Sequence, residues 1–452
     1  PYHPVAAGGE HPEPIPSRVI TVWGPTGAPG RTLTATSLAT ELALRGRRVA
    51  LVDADTYGGT RPFVVTAEAP APAPTLAIRA GRILTMGADD AIVQPGMLLV
   101  EGGDITYVGA PVEVPEGAEL LELEDAWVTP GFIDLHSHIH AGGWGDTNDM
   151  VMPTNAEFST RPTIVAGNPN IRRACAAGVT TIFCIPGSGT SISGFGVLLK
   201  TKTRSTYEGA VLADPGGMKV AQTHNPERRS GDVGATRAGL GWLLEELNDR
   251  AVQLRDSGTF DPAVDNLTRI HAGELPVLIH CAGNDGVANT VRMWKGRYDT
   301  NCTVSHGSFD GWYAADYAAE MGVPVNHGPR TYNFTYGMKE GRIVGTSKAF
   351  VDAGVPLFSL NTDAPVIPQE ELFLQGSVSA HHGADAYTML KALTIHPALS
   401  FGIADRVGSL KVGKDADLVI WTGDPLDPRT RAEVVVIDGE VQYQRSHDGQ
   451  WF

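Results

Sequence analysis

The sequence predicts an α/β protein: a (β/α)8 TIM barrel with a small composite β-sandwich built from the segments that flank it. Residues 129–404 alternate short apolar strands with helix-like stretches such as 234–255 and 311–321. That alternation is typical of barrel strands joined by crossovers. Residues 75–128 and 405–445 show short alternating strands broken by Gly and Asp. They predict antiparallel β-structure, and we expect the two segments to pair into one domain.

Eight apolar runs are the expected barrel strands. They are residues 132–138, 179–185, 196–201, 217–223, 276–281, 302–306, 323–327 and 356–362. Eight strands in a stretch of about 275 residues are the number and length that a TIM barrel needs. The active site is therefore expected where these strands end, at the carboxyl rim of the barrel.

Composition excludes several classes of function. The chain has 452 residues and a net charge of −16, so nucleic acid and anionic membranes are unlikely partners, because both require a basic surface. No apolar run approaches the length of about 18 residues that indicates a membrane helix. The four cysteines (Cys175, Cys184, Cys281 and Cys302) form no CxxC pair and lie in apolar runs. We expect reduced thiols, a cytoplasmic location and a small-molecule substrate, and a homo-oligomer is open as the assembly state.

The N-terminal region is expected to lie outside the barrel protein. Residues 1–17 have no signal-peptide pattern and are expected to be a disordered leader. Residues 18–60 predict one strand–loop–helix–strand unit, and residues 61–74 form a Pro/Ala-rich linker.

Chemically capable side chains stand at the ends of the expected strands. They are His136, His138, Lys219, His280, His306 and Asp363. Residues i and i+2 of a strand point to the same face, so His136 and His138 can reach one ion in the barrel lumen. Imidazole and carboxylate groups are suitable ligands for zinc and similar divalent metals. The sequence therefore predicts a metal centre at the rim.

Several motifs resemble those of the amidohydrolase superfamily. "PGFIDLHSHIH" looks like its opening metal motif, and "GSLKVGKDADLVIWTGDP" resembles the closing β-segment of its cyclic-amidohydrolase and imidazolonepropionase-like members. The segments "TDAPV" and "AGVTTIFCIPGS" also resemble the sequence pattern of those members. The resemblance covers about residues 75–445 and implies a hydrolase acting on carbon–nitrogen bonds other than peptide bonds, with a cyclic amide, an amidine or a small peptide as substrate.

The resemblance also implies a role for each site residue. His136, His138 and Asp363 would hold the more buried of one or two divalent ions (zinc, manganese or iron), and His280 and His306 the second. Lys219 would carry a carbamate derived from carbon dioxide, because an ammonium group cannot bind a metal. Asp363 would act as general acid and base toward a metal-activated hydroxide, with His280 as a further catalytic group.

Two departures from the family pattern leave alternatives open. His224 stands where relatives often have an acidic residue, and Ala282 replaces the second histidine of strand five. A single-metal site with unmodified Lys219, or a metal-binding homologue with impaired catalysis, is therefore a second interpretation. Four further residues are candidates for substrate binding: His140, His224, His327 and Arg330.

Residues 18–60 carry a second resemblance, to the deviant P-loop ATPases of the partitioning and pilus-assembly type. "GPTGAPGRT" has the glycines of a phosphate loop, but Arg31 and Thr26 stand where lysines belong. A lone unit of this kind cannot bury its own sheet. We expect a truncated fragment without ATPase activity, and a nucleotide-dependent regulator is the alternative function.

Overall fold

The computed structural model describes residues 75–141, 148–228, 236–331, 338–339 and 342–451. The expected leader, P-loop-like fragment and linker (1–17, 18–60 and 61–74) lie outside the described residues. In the part of the chain that is described, no helix is both long enough and apolar enough to cross a membrane.

The strands are numbered in chain order through the described residues. They are β1 (Leu76–Leu84), β2 (Ile92–Val93), β3 (Gly96–Glu101), β4 (Asp104–Gly109), β5 (Glu119–Pro130), β6 (Phe132–Ser137), β7 (Val179–Cys184), β8 (Ile192–Lys200), β9 (Val211–Ala221), β10 (Val277–Ala282), β11 (Cys302–Ser308), β12 (Val325–His327), β13 (Met338–Lys339), β14 (Arg342–Ile343), β15 (Ser359–Leu360), β16 (Leu418–Trp421), β17 (Ala432–Ile437) and β18 (Glu440–Gln444).

Helices separate most of the barrel strands. The α-helices span Pro169–Ala176, Tyr207–Ala210, Arg237–Ser257, Asp265–His271, Asn284–Thr290, Ala315–Glu320, Thr346–Asp352, Leu372–His381, Ala386–Leu393, Ile395–Ser400 and Arg445–Asp448. The longest of them begins where the Thr236 side chain accepts a hydrogen bond from the amide of Gly239, and it ends at Gly258 in the left-handed region (φ 67°). Both are sequence-encoded helix boundaries: an N-cap hydroxyl and a C-terminal glycine.

The barrel is an eight-stranded sheet in the order β6-β7-β8-β9-β10-β11-β12-β15. The last strand approaches the first through an isolated bridge between Ser137 and Ala364, so the barrel is nearly closed. Every residue of β6, β7 and β10 is buried, as expected for strands covered on both faces. The predicted fold class, an α/β barrel with a separate small β-domain, is confirmed.

The third barrel strand differs from the prediction in its direction. Strand β8 is antiparallel to both β7 and β9, whereas the neighbouring pairs among the other strands are parallel. Residues 185–191 connect β7 to β8, and this hairpin is shorter than the crossover of about a dozen residues that a parallel connection needs. As a consequence, the β7–β8 hairpin lies at the carboxyl rim, while Lys200 at the end of β8 lies at the opposite rim.

The second sheet joins the two ends of the barrel protein. Its main path is β18-β17-β16-β5-β1-β3-β4, and β16 pairs with β5 in antiparallel orientation. The prediction of purely antiparallel pairing is wrong for β1 and β5, which are parallel. The β3–β4 hairpin occupies one edge of β1, so the chain returns along the other edge in the same direction as β1.

A buried lysine connects the barrel to the C-terminal segment at the rim opposite the expected site. The Nζ atom of Lys200 lies 2.5 Å from Asp415 Oδ2 and 3.0 Å from Asp417 Oδ2, and it also pairs with Asp438. Only 2% of the Lys200 side chain is exposed. Burial opposes the charge, but the carboxylates outweigh it and raise the pKa of Lys200 above its usual value. Asp415 and Asp438 also pair with Arg406 and Lys202, whereas the buried carboxylate of Asp417 depends on Lys200 for its counter-ion.

The substitution Lys200→Met should lower the free energy of unfolding by about 3–5 kcal/mol, because it leaves the buried carboxylate of Asp417 uncompensated. Urea denaturation followed by circular dichroism measures this loss. The control is Lys391→Met, which removes a more exposed pair with Asp90 and should cost about 0–1 kcal/mol. Equal losses in the two variants would contradict the assigned role of Lys200.

Candidate metal centre

Two histidines at the end of β6 face the carboxylate that follows β15. The Nε2 atoms of His136 and His138 lie 3.2 Å and 3.3 Å from Asp363 Oδ1. The Nδ1 atom of His138 donates to the carbonyl oxygen of Ile185 at 2.8 Å. A carbonyl oxygen can only accept, so Nδ1 of His138 carries a proton and Nε2, toward Asp363, is the nitrogen that can bind a ligand.

The Nδ1 atom of His136 lies 2.7 Å from the hydroxyl of Ser305 on β11. This contact fixes the orientation of the His136 ring across the lumen. A serine hydroxyl can donate or accept, so the tautomer of His136 follows from whatever occupies its Nε2 side. Ser305 was not predicted from the sequence, although its position directly before His306 at the end of an apolar strand is a signal that could have identified it.

His306 at the end of β11 completes the closest group. Its Nδ1 donates to the carbonyl oxygen of Gly328 at 2.9 Å, so its lone pair is on Nε2, which lies 3.9 Å from Asp363 Oδ2. His306 has a φ of 74°, which is uncommon for a residue other than glycine. Among the described residues, the ligand atoms of His136, His306 and Asp363 all lie within 4.8 Å of one another.

His280, from the end of β10, lies beside this group. Its ring centroid is 4.5 Å from that of His306 and 6.4 Å from that of His136. Within the part of the chain that the structure describes, neither ring nitrogen of His280 has a hydrogen-bond partner, although both are buried. A buried polar nitrogen without a partner is costly, so a ligand at this position would stabilise the ring.

Burial keeps the imidazoles of His136, His280 and His306 neutral. It is the largest cause that lowers the pKa of His136 and His280 well below the usual value, followed by the nearby His306 and Lys219. Burial also would raise the pKa of Asp363, but contact with His138 and the nearby His306 lowers it overall. The group is therefore a set of neutral imidazoles around an ionised carboxylate.

This arrangement fits a divalent metal ion. Lone pairs on two imidazole nitrogens and a carboxylate oxygen repel one another at 3.2–3.3 Å unless a positive charge lies between them. A proton on Nε2 of either histidine could also supply that charge, and the lowered pKa of His136 disfavours it there. Among the described residues, the buried Nε2 atoms of His136 and His306 have no hydrogen-bond partner. Neutral imidazole and carboxylate groups are the usual zinc ligands.

Lys219 on β9 is fully buried within reach of the same charges. Its Nζ donates to the hydroxyl of Ser188 at 2.7 Å, and burial lowers its pKa to about 7 despite the opposing charge of Asp363. Ser188 lies in the β7–β8 hairpin, which the reversed direction of β8 brings to this rim. Sequence reasoning missed Ser188, because the hairpin was expected to be the start of a crossover.

The candidates for substrate binding lie in different environments. His140 is buried, and neither of its ring nitrogens has a hydrogen-bond partner. Burial lowers its pKa to about 4. The ring of His224 lies 4.7 Å from that of Phe309, and Arg330 is exposed. These observations are compatible with roles at the edge of the site for His140, His224 and Arg330.

His327 was also a candidate for substrate binding, but both of its ring nitrogens are engaged. Nδ1 lies 2.6 Å from the carbonyl oxygen of His306, and Nε2 lies 2.8 Å from the hydroxyl of Thr346. These contacts leave no ring nitrogen for a substrate. His327 instead fixes the backbone of the strand end that presents His306.

Comparisons with known proteins agree with this geometry. Residues 346–443 match the amidohydrolase family. The chain is 27% identical over 409 residues to the amidohydrolase tasK of Hapsidospora irregularis, a match that covers 77% of this chain and 40% of that protein. It is 25% identical over 381 residues to an imidazolonepropionase of Mesorhizobium japonicum. That match covers 76% of this chain and 91% of the relative.

Solved structures give the same result for the fold. The crystal structure of an amidohydrolase from Thermotoga maritima superimposes with a TM-score of 0.74 at 28% identity, covering 82% of this chain and all of that one. A Xaa-Pro dipeptidase superimposes with a TM-score of 0.53 at 16% identity, which supports the fold alone. Nothing in these comparisons supports the resemblance of residues 18–60 to a P-loop ATPase.

Purified protein dialysed against zinc should retain about one or two ions per chain, measured by inductively coupled plasma mass spectrometry. His136→Ala should lose the ion held with Asp363, because it removes a nitrogen from the closest ligand group. His140→Ala is the matched control and should retain the metal, since His140 is not part of that group. Wild-type protein that binds no divalent ion would contradict the assignment.

Proposed function

We propose that this protein belongs to the amidohydrolase superfamily and is a metal-dependent hydrolase of carbon–nitrogen bonds. The observation that carries the proposal is the convergence of buried imidazole Nε2 atoms on the ionised carboxylate of Asp363. In the proposal, His136, His138 and Asp363 hold the more buried ion. His280 and His306 hold a second one, and zinc is the first metal to test.

A bound divalent ion would lower the pKa of a water molecule and polarise the bond to be hydrolysed. Asp363 is suited to the proton transfers. Its carboxylate is ionised, and 18% of its side chain is exposed, so a water molecule and a substrate can reach it. It would accept a proton from the attacking water and pass it to the leaving nitrogen.

His280 would contribute on the substrate side of the centre. Both of its ring nitrogens are free of hydrogen bonds to the protein, unlike those of His327. One nitrogen can bind an ion while the other donates a hydrogen bond to a substrate oxygen. This arrangement supports the proposed catalytic role of His280 next to Asp363.

Lys219 would carry the carbamate that bridges two ions. Burial lowers its pKa to about 7, so a large fraction of the amine is neutral near physiological pH. The neutral nitrogen attacks the carbon of carbon dioxide, forms an N–C bond and releases one proton to solvent, which leaves an anionic carbamate. The Ser188 hydroxyl, 2.7 Å from Nζ, would hold the nitrogen in place during the reaction.

We propose a cyclic amide as the first substrate class, because imidazolonepropionases are among the similar proteins. An amidine, as in deaminases, and a small peptide are the alternatives. A hydrolysis screen over lactams, hydantoins, deaminase substrates and dipeptides, with zinc or manganese and bicarbonate, tests the function. Zinc-loaded protein that hydrolyses none of these classes would contradict the proposal.

The substitution Asp363→Asn should lower kcat by about 10²–10⁴-fold on any substrate found in that screen, since an amide cannot accept the proton. Activity is measured at saturating metal, because Asn also weakens the ligand set. Asp385→Asn is the control: Asp385 caps the helix Ala386–Leu393 and should leave kcat unchanged. An Asp363→Asn enzyme with wild-type kcat would rule out Asp363 as the proton carrier.

Removal of bicarbonate and carbon dioxide during metal loading should reduce the activity of the wild type, and restoring bicarbonate should recover it. At a constant concentration of dissolved carbon dioxide, the recovery should be slower below about pH 7, because Lys219 is then increasingly protonated and an ammonium group cannot attack carbon dioxide. Lys219→Gln should be insensitive to bicarbonate at any pH, and Lys391→Met should respond like the wild type. Wild-type activity that is independent of bicarbonate would contradict the carbamate.

A further inference from the structure

The first and last strands of the barrel meet without a regular ladder. Between β6 and the segment after β15, the backbone contacts are the bridge of Ser137 with Ala364 and the hydrogen bond from the amide of His138 to the carbonyl oxygen of Ala364 (2.8 Å). Both proposed ligand segments border this junction: His136 and His138 on one side, and Asp363 on the other. Something besides the ladder must therefore set their relative position.

The carboxylate of Asp134 spans this junction. On its own strand, Oδ1 accepts a hydrogen bond from the amide of His136 at 2.8 Å. Across the gap, Oδ2 accepts from the amide and the hydroxyl of Thr362, at 2.9 Å and 2.6 Å. Oδ2 also accepts from the side-chain amide of Gln369 at 2.6 Å. Asp134 is fully buried and makes its hydrogen bonds to these three residues.

Gln369 fixes the carboxylate from a third direction. Its Oε1 accepts a hydrogen bond from the hydroxyl of Ser137 at 2.6 Å. A serine hydroxyl that donates there requires the oxygen of the amide to face Ser137, so the nitrogen must face Asp134. The side chains of Asp134, Ser137 and Gln369 therefore form a second connection between β6 and the segment after β15, in addition to the backbone bridge.

Asp363 needs this support because its backbone is strained. Its φ of 50° lies in the left-handed region, which residues other than glycine adopt only when their surroundings hold them there. Thr362 on one side is held by Asp134, and Ala364 on the other side is held by the amide of His138. The amide of Val366 also donates to the carbonyl oxygen of Asp363 at 2.8 Å.

We propose that Asp134 is the positioning residue for the active-site carboxylate: acting through Thr362, it sets Asp363 against His136 and His138. The inference rests on the proposed function for the role of Asp363 in catalysis, but the placement of Asp363 is a separate claim. Asp134 itself contacts neither ion nor substrate in this proposal. Burying a carboxylate costs folding free energy. The position of Asp134 between the two proposed ligand segments suits it to orient them.

The test compares two variants that preserve shape. Thr362→Val removes the hydroxyl that lies 2.6 Å from Asp134 and keeps the backbone donor. Asp134→Asn keeps the volume but replaces one accepting oxygen with a donor, which must then face the amide of His136 or the donors of Thr362 and Gln369. Asp417→Asn is the matched control. Asp417 is also a buried aspartate, but it pairs with Lys200 at the rim opposite the proposed ligands.

Three measurements apply to each variant: metal content, the visible spectrum of the cobalt-substituted protein, and kcat against KM. Asp134→Asn and Thr362→Val should bind metal, since the histidines remain, but their cobalt spectra should differ from that of the wild type. Their kcat should fall by about 10–100-fold, the effect expected from a small misplacement of a catalytic group, with KM little changed. Asp417→Asn should lose stability in urea and keep the wild-type spectrum and kcat.

A crystal structure of metal-free Asp134→Asn gives a result that depends on neither metal nor activity. Asp363 should leave its left-handed conformation, or its Oδ1 should move away from His136 Nε2. If Asp363 stays in place, or if Asp134→Asn matches Asp417→Asn in spectrum and kcat, Asp134 has a structural role alone and the inference is wrong. A wild type that binds no metal would instead contradict the proposed function, and the crystal structure would still decide the role of Asp134.

Discussion

The junction between the first and last barrel strands is the constraint on which the site depends. Strand β15 has two residues, too few to form a ladder with β6, yet the proposed ligands His136, His138 and Asp363 come from both sides of this gap. The carboxylate of Asp134 and the amide of Gln369 replace the missing ladder with side-chain hydrogen bonds. A backbone ladder would impose a regular register, whereas these side chains leave Asp363 in a conformation that a strand could not provide.

The proposed ligand histidines are oriented by their neighbours. Carbonyl oxygens of Ile185 and Gly328 fix the Nδ1 proton of His138 and His306, and burial lowers the pKa of His306, which disfavours a proton on its Nε2. Outer hydrogen bonds of this kind orient the rings and increase their basicity toward a metal. The residues that directly follow β7 and β12 thus orient the proposed ligands through their backbone carbonyl groups.

The sequence predicted the parts of this site that follow from local rules. His136 and His138 were identified from the two-residue period of a strand, and His280, His306 and Asp363 from the ends of apolar runs. Asp134 and Ser305 were not identified, because their partners lie 228 and 169 residues away along the chain and no local pattern encodes such contacts. The direction of β8 was missed because an apolar run of that length is compatible with either orientation. Its short connection to β7 was the available signal.

The reversed strand has a chemical consequence that a uniform barrel would lack. The β7–β8 hairpin turns at the rim of the site and carries Ser188 to Lys219. The glycines of the hairpin leave room for the side chain of Asn148. A Cβ atom at Gly187 would overlap that side chain, and one at Gly189 would lie 2.7 Å from it. The Asn148 side chain in turn accepts a hydrogen bond from the amide of Gly189 at 2.7 Å. Asn148, which lies between β6 and β7, therefore packs against the β7–β8 hairpin next to Lys219. A substitution in either segment should change the surroundings of the lysine.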